Sequence, residues 1–86
     1  MDINSLNLII EKKISQNISC KKIIIEDKTY LHKNHKGHEK NKFHIKLIIK
    51  SDELLKMNRI DSTKKIYKIL DHELKYYIHS IEVLLN

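Results

Sequence analysis

Six histidines and a single cysteine are the side chains of this chain best suited to chemistry. His32, His35 and His38 recur at every third residue in one polar stretch. In a pliable segment three such imidazoles could converge on a metal such as zinc or nickel. Composition alone gives the plainer reading of a solvated loop, because a His-bearing tract is only a compositional signal. His79 stands apart, in Ile78-His79-Ser80 near the end of the chain. Imidazole must be neutral to bind a metal, so any such site weakens below about pH 6.5.

The lone thiol, Cys20, excludes an internal disulfide framework and an autonomous Cys-ligated zinc finger. An iron–sulfur cluster needs several thiolates, although imidazoles replace them on one iron in some centres. This chain therefore holds a conventional cluster only if a partner supplies the thiolates. Catalytic arrangements are hard to find. Cys20 has no matched base, H-E-x-x-H is absent, and the one glycine, Gly37, cannot build a phosphate-cradling loop. The expectation is a non-enzyme.

The net charge of +6 comes from sixteen lysines and one arginine, Arg59. A basic balance suits nucleic acid or an acidic protein. Arginine, the usual reader of base edges, is nearly absent, so specific DNA reading is not implied. Non-specific, salt-sensitive contacts would fall to lysines such as Lys46, Lys50, Lys64 and Lys65. No segment approaches the ~20 apolar residues of a membrane span, and the N-terminus carries no signal-peptide pattern. A cytoplasmic protein is the expectation, with the mitochondrion or another organelle as the alternative.

These residues need elements to position them. Ile3, Leu6, Ile10 and Ile14 repeat at helical spacing and predict a helix over 3–16, capped by Asn4 or Ser5. Residues 21–27 contain three successive isoleucines and predict a strand, apolar on both faces and so placed well inside a sheet. Residues 28–42 form a polar, His-rich loop, expected to be flexible. In 43–51, Ile45, Leu47 and Ile49 alternate with His44, Lys46 and Lys50, which predicts a strand with one face on a core and His44 in solvent. A helical turn over 52–58 precedes a long helix from Ile60 to Tyr76, capped by Asp61 or Ser62, with Tyr67 and Tyr77 on its core stripe and His72 on its solvated side. Residues 78–85 close the pattern as a strand.

The order α-β-β-α-α-β over 86 residues implies one α/β (α+β) domain. Its three-stranded sheet carries helices on one face, with an antiparallel hairpin across the His loop and a parallel pair made by the helical crossover. In a regular last strand His79 shares the core face of Ile81 and Val83. A strand that starts later leaves His79 at a bend and exposed. Cys20 reads as a packing residue.

In this order the motifs resemble the BolA-like family, from about Ile24 to Val83. A first signature, roughly D-x-S-x-x-H-x-G-H, is matched by Asp27-Lys28-Thr29-Tyr30-Leu31-His32-Lys33-Asn34-His35, with Thr for Ser and Asn34 for Gly. An H-F signature with an apolar run ending in Ser is similar to His44 through Ser51. Tyr67 and Leu70 fall at the Tyr and Leu of the long helix, and Glu73-Leu74 with Ile78-His79-Ser80 resembles E-L followed by I-H-A. Two features depart: F-x-G becomes Leu54-Leu55-Lys56, and R-H-R becomes Ser62-Thr63-Lys64. The resemblance implies a class II KH-like fold and an adaptor that binds a monothiol glutaredoxin in iron–sulfur cluster handling. It implies a 2Fe–2S cluster shared with that partner and glutathione, with His79 and His35 as ligands and His38 or His32 as alternatives. Nucleic-acid binding and a metal-free interaction module, such as a homodimer, are the competing readings.

Overall fold

The computed structural model describes residues 1–29 and 42–86, so His32, His35, His38 and most of the expected loop lie outside the described residues. The order is α1 (Ile3–Asn17), β1 (Lys22–Asp27), β2 (Phe43–Lys50), α2 (Asp52–Leu55), α3 (Arg59–Ile69), α4 (Asp71–Tyr76) and β3 (Ile78–Leu85).

Helix α1 forms because its apolar residues return every turn. Leu6, Ile10 and Ile14 are fully buried, and burying each stabilises the fold by about 2 kcal/mol. The cap is Asp2 rather than Asn4 or Ser5: its carboxylate accepts the Ser5 N–H at 2.7 Å, which satisfies an otherwise unpaired first-turn donor. Asn58 caps α3 in the same way, accepting the Asp61 N–H at 2.8 Å, so the capping residue precedes the expected Asp61 or Ser62.

The sheet has the order β1-β2-β3. β1 and β2 are antiparallel, with Ile24 opposite Ile48, and β2 and β3 are parallel, with Leu47 opposite Val83. Both agree with the sequence-based topology. The position of β1 does not: it is an edge strand, and Ile24 points away from the core with 37% of its surface exposed. A three-stranded sheet has only one interior strand, and here it is β2, paired with β1 on one side and β3 on the other.

Ile45, Leu47 and Ile49 face the helices and join Leu6, Ile10, Ile14, Leu54, Ile66 and Leu70 in one core. The helices therefore cover one face of the sheet, giving a mixed α+β architecture. The expected long helix is broken at Leu70, whose backbone (φ −99°, ψ 18°) leaves helical values while its side chain stays fully buried. The break re-aims the following turn. Glu73 turns inward to 2% exposure, and both its carboxylate oxygens meet the Lys13 ammonium at 2.8 Å. Tyr67, expected in the core, is 42% exposed; Ile66 holds the inward position beside it. Among the described residues no helix is long and apolar enough to cross a membrane.

Candidate functional site

The site grows from one irregularity in the sheet. Phe43 pairs with Ile78, but His44 pairs with Ser80, so His79 is an extra residue on β3. Such a bulge breaks side-chain alternation and re-aims the residue it carries. Ile78 stays buried, Ile81 and Val83 keep packing on the core, and His79 is turned out and exposed. A regular strand would have put His79 on the core face; the bulge is why it is not there.

His44 corrects a second expectation. It stands on the sheet face away from the helices, yet only 6% of it is exposed. Its Nδ1 lies 2.6 Å from the Ser80 hydroxyl, and its ring packs against that of His79 with centroids 4.8 Å apart and planes tilted by 51°. The main chain around it is tied as well. The His44 N–H donates to the Thr29 hydroxyl at 3.2 Å, and its carbonyl accepts the Lys28 N–H at 2.7 Å. The Thr29 hydroxyl and N–H both donate to the Asp27 carboxylate. Thr in place of Ser in the first signature thus keeps the hydroxyl that the geometry uses. What marks His44 is its register opposite Ser80, which only the bulge creates.

This end of the sheet gathers the chemistry. Thr29 and Lys42, the anchors of the segment that carries His32, His35 and His38, lie beside β1 and β2 at the end where His79 stands. Cys20 belongs to the other end, where Lys21 bonds the Lys50 carbonyl at 2.8 Å. From His44 to Lys50 the strand rises about 20 Å, so Cys20 cannot share a metal with His79. Its thiol is pushed up in pKa by burial and by the nearby Glu53 carboxylate, which keeps it protonated and a poor ligand. Among the described residues, the imidazoles at the opposite end are those of His79, exposed, and His44, buried. Among the described residues no cluster of three or more His, Cys, Asp or Glu gathers to hold a metal by itself.

The lysines do not converge. Lys46 and Lys50 alternate onto the open sheet face, whereas Lys64 and Lys65 ride on α3 in the helical layer. Lys65 is engaged by Glu53 at 2.7 Å. His72 is exposed on α4, against Tyr76 at 4.8 Å between ring centroids.

Comparison with known proteins agrees with this architecture and extends it to sequence. The BolA domain of SufE1 from Arabidopsis thaliana superposes with a TM-score of 0.77 at 23% identity, covering 100% of this chain and 93% of that one. BolA1 from the same plant gives 0.73 at 22% identity, over 90% and 85%. At these identities the likeness shows the fold. A curated relative from Haemophilus influenzae, described as the DNA-binding transcriptional regulator BolA, is 30% identical over 77 residues, which are 90% of this chain and 72% of that protein. Residues 14–85 match the family model described as BolA-like protein, a span that runs from the end of α1 through β3, and the chain therefore belongs to the BolA-like family.

Proposed function

We propose that the chain is a non-catalytic adaptor that lends the His79 imidazole to a 2Fe–2S cluster carried with a monothiol glutaredoxin and glutathione. The observation that carries this reading is the bulge that turns His79 out of the sheet while its neighbours Ile78 and Ile81 stay against the core. The cluster supplies redox-active iron and binds one or more imidazoles in place of thiolate. The residues of this chain present the ring, back it with His44 and anchor the His-bearing segment at the same end. Cys20 is half-buried at the far end of the sheet, which supports leaving the thiolates to the partner in this proposal. A second ligand from His35, His38 or His32 is part of the proposal, carried by the sequence resemblance and by where that segment starts and ends.

The test mixes the chain with a monothiol glutaredoxin, iron, sulfide and glutathione, and compares visible absorption and circular dichroism with the glutaredoxin alone. A new spectrum that reverts with His79→Ala is the expected result. An unchanged spectrum with no complex on a sizing column would sink the reading.

A second reading comes from the name of the Haemophilus relative, which binds DNA. Carried to this chain, it predicts Lys-driven, steeply salt-dependent binding. The separation of Lys46 and Lys50 from Lys64 and Lys65 on opposite layers ranks it second. Tight, sequence-selective binding near physiological salt would reverse the order.

A further inference from the structure

We infer that His44 is a positioning residue: tethered by Ser80, it fixes the ring of His79 in the orientation from which His79 donates. This rests on the reading of His79 as a cluster ligand.

An exposed imidazole ordinarily samples several rotamers, and each one lost on binding costs entropy. His79 is not left to do so, because its ring has a wall. That wall is itself immobilised. The His44 backbone is held on both sides, by the Thr29 hydroxyl at 3.2 Å and by the Lys28 N–H at 2.7 Å. Its ring is held by the Ser80 hydroxyl at 2.6 Å. Burying a polar ring nitrogen is unfavourable unless it is paired, and in His44, only 6% exposed, Nδ1 has that partner in the Ser80 hydroxyl. Ser80 follows His79 directly, which makes the tether sensitive to the same bulge that exposes the ligand. Loss of a group bonded directly to a ligating histidine typically lowers metal affinity by about 10- to 100-fold; Ser80 acts one contact further out, through His44, so the lower end of that range is the one expected here.

The experiment uses the full chain without metal first. Side-chain Hα–Hβ couplings of His79 are measured in the wild type, Ser80→Ala, Ser80→Thr and His44→Ala. The expected result is a single His79 rotamer in the wild type and in Ser80→Thr, which retains the hydroxyl. Averaged couplings are expected in Ser80→Ala and His44→Ala. The same proteins are then mixed with a monothiol glutaredoxin, iron, sulfide and glutathione, and the cluster is challenged with a chelator. Retention in Ser80→Ala is expected to fall by about 10-fold and to recover in Ser80→Thr. A His79 rotamer that stays single in both Ser80→Ala and His44→Ala overturns the inference, as does a rotamer already averaged in the wild type. A lower melting temperature in Ser80→Ala with unmoved couplings overturns it too, since that is a structural role alone. Should His44→Ala not fold, Ser80→Ala against Ser80→Thr decides. A fixed His79 ring in a wild type that forms no cluster with the partner removes the ligand role and leaves the positioning of the ring standing.

Discussion

The rings of His44 and His79 lie 4.8 Å apart although the two residues are not opposite each other in the strand register, because His44 is paired with Ser80 and His79 is the extra residue of the bulge. Two histidines far apart in sequence become neighbours because β2 and β3 pair in parallel, and the bulge sets Ser80 opposite His44 with His79 beside it. The contact joins a buried imidazole to an exposed one, and everything that fixes the first is transmitted to the second. Thr29 belongs to that support, since its hydroxyl is the acceptor for the His44 N–H.

Replacing Thr29 tests that support. Thr29→Val removes the hydroxyl while keeping the β-branched shape. It takes this acceptor away from the His44 N–H, which is expected to cost about 1 kcal/mol. Thr29→Ser keeps the hydroxyl and is expected to change little. Urea unfolding of the two variants checks the difference; equal midpoints would show that the bond contributes nothing.

The Lys13–Glu73 pair ties α1 to α4, with the carboxylate buried and the ammonium about a third exposed. Lys13→Met keeps the aliphatic stem and strands the buried charge, so a loss of about 3 kcal/mol is expected. The double variant Lys13→Met with Glu73→Leu removes both charges and is expected to recover most of that loss. Denaturant unfolding of the three proteins measures the coupling. A double variant no more stable than Lys13→Met would show that the pair is not the origin of the effect.

The pair also marks where the sequence stops being readable. Periodicity identifies α1, β2 and β3, and the topology follows from the order of elements and the length of the crossover. Those features depend on hydrophobic pattern alone. The break at Leu70 does not, since the helical spacing of Ile66, Leu70 and Leu74 runs on without a visible stop. It goes with the inward turn of Glu73 toward Lys13, a tertiary contact 60 residues away in sequence. The bulge at His79 is equally silent, because Ile78, Ile81 and Val83 are compatible with either phase. The burial of His44 is hidden as well: alternation puts it on the open face, and the pairing of β2 with β3, with its shifted register, is what sets Ser80 opposite it and His79 beside it.

The break at Leu70 predicts a contrast between two residues that the periodic pattern treats alike. Leu70 is fully buried, so Leu70→Ala opens a cavity and is expected to cost about 3 kcal/mol. Tyr67 is 42% exposed, and Tyr67→Ser is expected to cost under about 1 kcal/mol. Thermal unfolding compares them directly. Equal losses would mean that Tyr67 packs on the core after all.

Glu53 links stability and thiol chemistry at the end of the sheet opposite His79. Its carboxylate accepts from the Lys65 ammonium at 2.7 Å and from the Ser19 N–H at 3.1 Å. The Lys65 and Ser19 hydrogen bonds hold its pKa below the ordinary glutamate value. A depressed folded-state pKa contributes stability that is present above the unfolded value of about 4.3 and lost as the pH falls through the folded value. Glu53→Gln is therefore expected to flatten this part of the acid limb of a stability–pH curve and to leave its slope near neutrality unchanged. The same carboxylate, after burial, raises the pKa of Cys20. Thiolate is the reactive form, so Glu53→Gln is also expected to speed alkylation of Cys20 by iodoacetamide near pH 8. If the rate is unchanged while the acid limb flattens, burial alone suppresses the thiol. If neither moves, the contacts of Glu53 are too exposed to matter.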